Sequence, residues 1–374
     1  MKAIAITPGV PSARLTDLPE PNLSLPDEIK VRILQVGICG TDRDQASGGR
    51  PEPPEGANEL VIGHEMLGEV VEVGAEVTVV QPGDLAVFTV RRGCSRCMPC
   101  AMGRPDMCLT GDFRERGIHR LHGFQSEHVV DREQHVVRVP EEIEGTGVLA
   151  EPLSVIEKAI DEAVRIQITR LPAAGATPNW LYGRSCLVAG LGPVGLLAAM
   201  VLTLRGARVY GLDIVDRDSA RPQWLEHIGG VYIDGRDIPS SDLRSRLGPM
   251  NILFEASGAP RLAFDLIDVL APNGVYVLTG IPEGHCVAEL AACDVVREMV
   301  RRNQVLVGSV NAALGHFQMA IHDLIQARYR WGAQVERLIT HRLSPDEAAP
   351  ALLQHPPDEI KAVVTWARRH PDST

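Results

Sequence analysis

The segment Ser185–Gly195, with the sequence SCLVAGLGPVG, constrains the fold more than any other stretch of this chain. A short apolar strand runs into the pattern G-x-G-x-x-G and then into residues 196–204, whose apolar side chains have helical spacing. The first glycine permits a tight turn, and the third allows the helix to pack closely. The second lets a pyrophosphate approach the backbone at the helix N-terminus. The segment therefore predicts a strand–turn–helix unit with a dinucleotide site.

The next apolar segment, 208–212, ends on Asp213, at about the 20-residue distance beyond the glycine pattern that is typical of a ribose-binding carboxylate. Such a carboxylate accepts hydrogen bonds from the ribose hydroxyls and repels a 2'-phosphate, so NAD is favoured over NADP. Arg217 lies within reach in principle, and use of both cofactors stays open as a hypothesis. The predicted cofactor-binding residues of this region are Gly190, Leu191, Gly192, Pro193, Val194, Gly195 and Asp213.

The order of the remaining segments predicts an α/β protein with two kinds of domain. Val- and Ile-rich segments such as 28–36 indicate a first half dominated by strands, which we expect to form a distorted β-barrel-like fold. Residues 151–170 have a helical pattern, and the Ala, Gly and Pro residues of 172–178 indicate a linker. Strands and helices then alternate, which predicts a doubly wound parallel sheet. Its six predicted strands are the one before the glycine turn and those at 208–213, 230–234, 251–255, 274–279 and 304–307.

Four cysteines, Cys94, Cys97, Cys100 and Cys108, have the spacing C-x2-C-x2-C-x7-C. Thiolates at such short spacing converge on one soft cation without strain, whereas cysteines this close rarely pair well as disulfides in a reducing compartment. The pattern predicts a tetrahedral zinc site. Because four protein ligands close the coordination sphere, we expect this zinc to be structural and the chemistry to lie elsewhere.

A second group of residues offers ligands for a catalytic metal. Cys39 lies in the sequence GICGTD, His64 and Glu65 follow a loop rich in Pro and Gly, and Glu151 comes later. One thiolate, one imidazole and one or two carboxylates would leave an open coordination position, as a catalytic zinc requires. Taken singly, a Cys is usually a small buried hydrophobe and a His a satisfied polar residue. Their occurrence together with the four-cysteine pattern and the glycine spacing of 63–74 favours a metal site.

These patterns resemble the zinc-containing medium-chain dehydrogenase/reductase family, the alcohol dehydrogenase superfamily, over nearly the whole chain. Within that superfamily the chain looks like the glucose dehydrogenase subgroup. The segments that carry this second resemblance are 91–94, 117–124, 151–154 and 308–311, with Asn311 as the most discriminating residue.

The resemblance implies a GroES-like catalytic domain, 1–183 with 312–374, and a Rossmann domain, 184–311. It implies NAD(P)-dependent oxidation of an aldose such as glucose at its anomeric carbon, giving a lactone, with one catalytic and one structural zinc per chain. A polyol, aminocyclitol or other secondary-alcohol dehydrogenase is the alternative, since it would have the same motifs and differ only in pocket residues. A non-catalytic, zinc-stabilised binding protein is a more remote alternative.

The family's functional residues match positions of this chain. The substrate hydroxyl is expected to lose its proton next to the zinc, with Thr41 as relay, before hydride passes to the nicotinamide. A local backbone cap is the alternative for Thr41. Whether Glu65 or Glu151 is the third ligand beside Cys39 and His64 stays open. The other expected contacts are Ser257, Thr279 and Asn311 for the cofactor, and Thr41, Val90, Glu115, Glu151 and Asn311 for the substrate.

Two positions depart from the subgroup pattern. Glucose dehydrogenases have a sugar-binding Asn where this chain has Val90, so one hydrogen bond is lost and a different epimer, a deoxy sugar or another polyol is suggested. Glu115 still matches a sugar-binding acid, with a solvated charge between Arg114 and Arg116 as its alternative. NADP-using members have Asn-Arg-Arg after the second strand, where this chain has Asp213-Ile-Val, which again favours NAD.

Composition excludes several other classes of function. The net charge of -11 and the pI near 5.6 argue against a nucleic-acid-binding surface, which normally needs a basic face. No stretch reaches the roughly 18 uncharged apolar residues of a membrane span, and the first residues read as a strand, not as a signal peptide. We therefore expect a cytoplasmic enzyme without nucleic-acid or membrane partners, and by resemblance a homodimer or homotetramer.

Overall fold

The computed structural model describes residues 1–171, 179–282, 287 and 290–369. The chain forms two compact units, one of Met1–Ser154 with Asn311–Thr374 and the other of Val155–Val310. The linker predicted at 172–178 lies outside the described residues. These units are defined by packing and not by function. The predicted boundaries of the catalytic and Rossmann domains, at 183/184 and 311/312, therefore stay a prediction.

The helices of the described residues are α1 Gly40–Ala46, α2 Met98–Ala101, α3 Ala150–Arg170, α4 Pro193–Leu204, α5 Ala220–His227, α6 Ser240–Leu247, α7 Pro260–Asp265, α8 Ala292–Arg301, α9 Leu314–Trp331 and α10 Pro345–Ala351. Short 3-10 helices cover Pro105–Met107, Glu133–His135, Glu141–Ile143, Gly147–Leu149, Leu266–Val269 and Gly332–Leu338.

The strands are β1 Lys2–Ile6, β2 Arg14–Asp17, β3 Glu28–Ile38, β4 Leu60–Val61, β5 Glu65–Val73, β6 Leu85–Phe88, β7 Arg91–Arg92, β8 Arg114–Arg116, β9 Arg120–Leu121, β10 His128–Arg132, β11 Val136–Val139, β12 Ser185–Ala189, β13 Arg208–Asp213, β14 Val231–Asp234, β15 Met250–Glu255, β16 Leu270–Leu278, β17 Val305–Gly308, β18 Ile339–Leu343 and β19 Lys361–Thr365.

The second unit contains the doubly wound parallel sheet predicted from the sequence, with strand order β14-β13-β12-β15-β16-β17. The chain order reverses between β12 and β15, which is where sheets of this kind bind ligands. The largest boundary error is at β16, which begins at Leu270 and not at Gly274, while the other predicted boundaries of this sheet are within one residue of the observed ones. Pro272-Asn273-Gly274 is a turn signal in sequence, but the irregular register between β15 and β16 accommodates it inside the strand.

The first unit is built around β3, which lies inside a mixed sheet of order β11-β6-β5-β3-β19-β18 and also pairs with β10. Smaller sheets of order β2-β1-β4 and β7-β8-β9 complete the strands of this unit. β3 is buried along most of its length because its sequence, EIKVRILQVGI, has apolar residues on both faces. The expected strand-rich fold of this part of the chain is confirmed.

The helices that the structure describes include none that is long and apolar enough to cross a membrane.

Candidate active site

The candidate metal ligands lie where three neighbouring strands of the first unit meet at one end. β5 and β19 both run antiparallel to β3, so the end of β3 lies beside the starts of the other two. Gly37 of β3 is paired with Glu65, the first residue of β5. Cys39 follows β3 directly, and Lys361 begins β19. Residues far apart in sequence therefore converge at this end of the sheet.

Asp42 orders the backbone around two of the candidate ligands. Its Oδ2 accepts a hydrogen bond from the Cys39 N–H at 2.8 Å, and its Oδ1 accepts one from the Gly63 N–H at 3.1 Å. The residue is only 1% exposed. One buried carboxylate thus holds the start of α1 against the loop that presents His64, and both backbone donors are satisfied.

Asp42 also orients the imidazole of His64, whose Nδ1 lies 3.5 Å from its Oδ1. Burial by itself lowers the pKa of His64, but the Asp42 carboxylate outweighs it and raises the pKa well above its usual value. For Asp42, burial raises the pKa, yet the charge of the nearby His64 lowers it overall. A carboxylate beside Nδ1 favours the proton there and leaves the Nε2 lone pair for a metal.

Glu65 is held by a buried ion pair with Lys361. The Lys361 Nζ donates to Glu65 Oε1 at 2.6 Å and to the carbonyl oxygen of Ile38 at 2.9 Å, and it also contacts Glu65 Oε2. The two side chains are 3% and 1% exposed. Burial lowers the pKa of Lys361, but the charges of Glu65 and Cys39 outweigh it and raise the pKa above its usual value. The Glu65 side chain is also tightly enclosed by the backbone. A Cβ on Gly37 would lie 2.0 Å from Glu65 Oε2, so only glycine leaves room for this carboxylate.

Cys39, His64 and Glu65 each offer a ligand atom within 4.8 Å of the others. A soft thiolate, an imidazole and a carboxylate in a mostly buried place are a donor set that suits zinc, and three protein ligands leave a position for substrate. The residues present therefore fit a catalytic zinc. Cys39 Sγ also lies 3.9 Å from the Oγ1 of Thr41, in the first turn of α1.

Glu151 lies at the start of α3 and is 9% exposed. Burial raises its pKa to about 7; His64 opposes that rise, and the like charge of Glu65 adds to it. Glu151 is not part of the group whose ligand atoms lie within 4.8 Å. Its carboxyl is nevertheless within electrostatic range of His64 and Glu65, in the same unit.

The four cysteines predicted to bind a structural zinc come together as a second group, with sulfurs within 4.8 Å of one another, and the segment 94–108 that carries them is called the lobe below. Cys94 and Cys100 have their sulfurs 3.8 Å apart, well beyond the roughly 2.05 Å of a disulfide. The Thr110 hydroxyl and the backbone N–H groups of Arg96 and Cys97 lower the pKa of Cys94 to about 5. Burial and the neighbouring thiols raise the pKa of Cys100 to about 12. Four thiols this close together cannot all ionise without a compensating positive charge. A divalent cation supplies that charge, so this lobe fits zinc.

The predicted sugar-binding residues Glu115 and Asn311 are in direct contact. Asn311 Nδ2 donates to Glu115 Oε1 at 2.6 Å. Glu115 is 8% exposed, so it is not the solvated charge that was its alternative reading. Arg91 Nε donates to the same oxygen at 2.9 Å. Val90, buried at 2% exposure, precedes Arg91 and accepts the Arg116 N–H with its carbonyl.

In the second unit, each glycine of the turn has its own geometry. Gly190 has φ +87°, and a Cβ there would lie 2.8 Å from the Ser257 backbone. A Cβ on Gly195 would lie 1.8 Å from the Gly190 carbonyl oxygen, so α4 packs closely against the turn. Gly192 is the N-cap of α4, and a Cβ placed there would have no neighbouring atom within 4 Å. The backbone at this helix N-terminus can therefore be approached by an anion.

Asp213 ends β13 and is engaged by the glycine turn. Its Oδ2 accepts the Leu191 N–H at 2.6 Å, and its Oδ1 accepts the Ile214 N–H at 2.7 Å. Each carboxylate oxygen has a second acceptor site, so capacity remains for ribose hydroxyls. Arg217 is paired with Glu226 at 2.7 Å and with the Tyr232 carbonyl at 3.3 Å.

Ser257 and Thr279 both bond to Glu255, a buried residue at the end of β15. The carboxylate accepts the N–H groups of Ser257 at 2.7 Å and Gly258 at 2.9 Å, while the Glu255 carbonyl accepts the Thr279 hydroxyl at 2.8 Å. Glu255 thus orders the loops that follow β15 and β16.

Sequence reasoning missed four residues that organise these sites, namely Asp42, Arg91, Glu255 and Lys361. Asp42 had a signal, since an acid three residues after Cys39 can cap the short helix that follows. Lys361 is a single charge at the head of an apolar strand, which is unusual but does not name its partner. Arg91 lies in the segment 91–94 that carries the family resemblance, but nothing there indicated its partner, and Glu255 had no distinctive local signal.

Comparison with known proteins agrees with this arrangement. Residues 25–141 match the alcohol dehydrogenase GroES-like domain, and residues 144–366 match the glucose dehydrogenase C-terminus. The chain is 35% identical over 367 residues to glucose 1-dehydrogenase of Methanocella arvoryzae, covering 97% of this chain and 99% of the relative. It is 38% identical over 369 residues to that of Thermoproteus tenax, with the same coverage.

A solved structure of Haloferax mediterranei glucose dehydrogenase in complex with NADP, Zn and gluconolactone superimposes with a TM-score of 0.87 at 33% identity. It covers 98% of this chain and 100% of that protein. A GroES-like domain, a Rossmann sheet and a Cys–His–Glu cluster define the class of zinc-containing medium-chain dehydrogenases/reductases. Within that class, the chain belongs to the glucose dehydrogenase family. The family and the fold predicted from the sequence are confirmed.

Proposed function

We propose that this protein is a zinc-dependent dehydrogenase that transfers hydride from the C1–OH of a glucose-like aldose to NAD, giving an aldonolactone. The observation that carries the proposal is the buried Cys39–His64–Glu65 group, which meets the ligand requirements of an open zinc site. The names of the relatives, glucose 1-dehydrogenases, support the substrate class.

Zinc held by Cys39, His64 and a carboxylate would supply a positive charge that favours ionisation of the substrate hydroxyl, and NAD would supply the hydride acceptor. The chain's own residues hold and orient the reacting groups. Asp42 orients the His64 ring, and the contact with Lys361 holds the Glu65 carboxylate in place. Thr41, beside the Cys39 thiol, relays the hydroxyl proton.

For the third ligand, Glu65 and Glu151 alternate. A carboxylate oxygen of Glu65 lies within 4.8 Å of the ligand atoms of Cys39 and His64, but it is hydrogen-bonded to Lys361. Glu151 is buried, and a bound cation would lower its raised pKa. Zinc content of Glu65→Gln and Glu151→Gln tests this. Loss of one metal equivalent in both variants is expected, and loss in only one would identify a single fixed ligand.

Glu115 and Asn311 are proposed to bind the sugar hydroxyls. Val90 leaves one hydroxyl without a partner at this position, which favours an aldose that is epimeric or deoxygenated there over glucose itself. The Val90→Asn variant should therefore raise kcat/KM for glucose relative to the preferred sugar. An unchanged ratio would contradict this role for Val90.

NAD is the proposed cofactor, because the Asp213 carboxylate keeps acceptor capacity for ribose hydroxyls while the donors of Arg217 are engaged by Glu226 and Tyr232. The relative from Haloferax mediterranei was solved with NADP, so the choice is a property of this chain to be measured. A kcat/KM ratio above one for NAD over NADP is expected, with Asp213→Asn lowering it.

Two zinc ions per chain, a cytoplasmic location and a homodimer or homotetramer complete the proposal. Unpaired cysteines throughout the described residues suit a reducing compartment. Apolar side chains of the second unit that are exposed in the single chain, among them Val296 at 60%, Val300 at 71% and Val310 at 55%, favour self-association. Light scattering after gel filtration measures the mass.

The activity itself is tested by the absorbance of reduced cofactor at 340 nm, with zinc-loaded protein, NAD or NADP, and a panel of aldoses, deoxy and amino sugars, cyclitols and simple alcohols. Reduction with an aldose supports the proposal. Activity on secondary alcohols alone, or binding without turnover, would overturn it.

A further inference from the structure

Arg91 connects the four-cysteine lobe to the carboxylate proposed to bind sugar. It lies on β7 with its side chain 11% exposed. Its Nε donates to Glu115 Oε1 at 2.9 Å, and its Nη1 donates to the carbonyl oxygen of Asp106 at 3.0 Å. The guanidinium lies 4.0 Å from the centre of the Phe113 ring, which stacks against it.

The Asp106 end of this contact belongs to the lobe. Asp106 lies in the 3-10 helix Pro105–Met107, between the third and fourth cysteines, and is 5% exposed. The position of its carbonyl therefore depends on how the chain between Cys100 and Cys108 is closed. Metal binding by the four thiols fixes that closure.

The other end belongs to the sugar site. β7 pairs with β8 so that Arg91 lies directly opposite Glu115. Among the described residues, both side-chain donors to Glu115 use the same oxygen, with Asn311 Nδ2 at 2.6 Å and Arg91 Nε at 2.9 Å. The other oxygen, Oε2, is thereby left to accept a hydrogen bond from a sugar hydroxyl, and its direction is set by how Oε1 is held.

We propose that Arg91 is a positioning residue through which the cysteine lobe orients Glu115 and so sets the affinity for sugar. The inference rests on the proposed function, since it gives Glu115 the role of a sugar ligand. A planar guanidinium suits this task because two of its nitrogens reach two acceptors at a fixed angle, which a single ammonium does not do. The lobe then contributes to substrate binding without touching substrate.

The test compares Arg91→Met with Arg91→Lys and with Arg96→Met. Arg96 is a matched control, because it lies on the same lobe and its pair with Asp112 is exposed at 67% and 57%. Initial rates are measured for each variant with the best aldose varied at saturating NAD, and with NAD varied at saturating aldose. Melting temperature and zinc content report the fold and the lobe. Calorimetric titration with the corresponding lactone in the presence of NAD reports sugar-site affinity without turnover, because both compounds are oxidised and neither can donate hydride.

The expected result for Arg91→Met is a KM for aldose raised about tenfold or more, the range set by losing a hydrogen bond to a charged group. The KM for NAD should stay within about twofold and the lactone affinity should fall by the same factor as the aldose affinity. Arg91→Lys should lie between wild type and Arg91→Met, and Arg96→Met should match wild type.

A KM for aldose within about twofold of wild type in folded Arg91→Met would overturn the inference. If that variant does not fold, Arg91→Lys decides, because wild-type KM and lactone affinity there would show that bridging two acceptors is unnecessary. Failure of the proposed function itself would be recognised differently, because then no aldose would support the reduction of NAD by the wild-type protein.

Discussion

The buried ion pair between Lys361 and Glu65 leads to a prediction with a large magnitude. Replacing Lys361 by Met keeps the aliphatic volume but leaves the Glu65 carboxylate, 1% exposed, without its counter-charge. It also removes the donor to the Ile38 carbonyl at 2.9 Å. Removing one partner of a buried pair costs about 3–5 kcal/mol, mostly because the remaining charge is uncompensated. We expect Lys361→Met to lose a free energy of unfolding in that range.

Neutralising Glu65 should restore the stability of Lys361→Met. In Lys361→Met/Glu65→Gln no charge is stranded, so about 2 kcal/mol or more should return, measured as the interaction energy of a double-mutant cycle. The assay is urea unfolding followed by circular dichroism, with a chelator present for every variant so that bound zinc does not supply the counter-charge that Lys361 provides. Lys2→Met is the matched control, since it removes the exposed pair with Asp17, whose side chains are 50% and 77% exposed. A loss below about 1 kcal/mol for Lys361→Met, or no recovery in the double variant, would refute the account of this pair.

Three further predictions follow from single contacts. Gly37→Ala should lower the free energy of unfolding by about 1–3 kcal/mol, because its Cβ would lie 2.0 Å from Glu65 Oε2. Gly40→Ala should leave it unchanged, because a Cβ there has open space around it. Equal melting temperatures for the two variants would contradict this. Cys97→Ser should lower zinc content by about one equivalent and lower the melting temperature, whereas unchanged metal content would remove this Cys from the zinc site. Burial and then the charge of Arg92 lower the pKa of His135 from 6.5 to about 3. The contribution of His135 to stability is therefore fully present above about pH 6.5 and falls by up to about 1.4 kcal/mol per pH unit as the pH decreases towards 3. Over that range the midpoint of urea unfolding should depend less on pH in His135→Gln than in wild type. Parallel plots of midpoint against pH for the two proteins would contradict this.

The features that the sequence predicted are those with local causes. A glycine turn between an apolar strand and a helix is readable because Gly190 and Gly195 are needed by the backbone itself. The four cysteines are readable because their spacing is set within one short loop. The clustering of Cys39, His64 and Glu65 was predicted from residue type and resemblance, and the structure supplies its physical reason in the antiparallel pairing of β3 with β5.

The features that escaped prediction depend on contacts between distant segments. Lys361 meets Glu65 only because β19 adds to β3 from the far end of the chain. Arg91 meets Glu115 only once β7 and β8 pair. The start of β16 was misplaced because a turn-like sequence, Pro272-Asn273-Gly274, is overridden by its place in the parallel sheet. Local propensity had no means of anticipating any of these.

Hydride transfer from C1 of an aldose to NAD can be followed with glucose deuterated at C1, or with the preferred epimer labelled in the same way. Mass spectrometry and proton NMR of the reduced cofactor locate the label. We expect one deuterium at C4 of the nicotinamide and one lactone per cofactor reduced. Reduced cofactor without deuterium would place the oxidised carbon elsewhere in the sugar and contradict oxidation at C1.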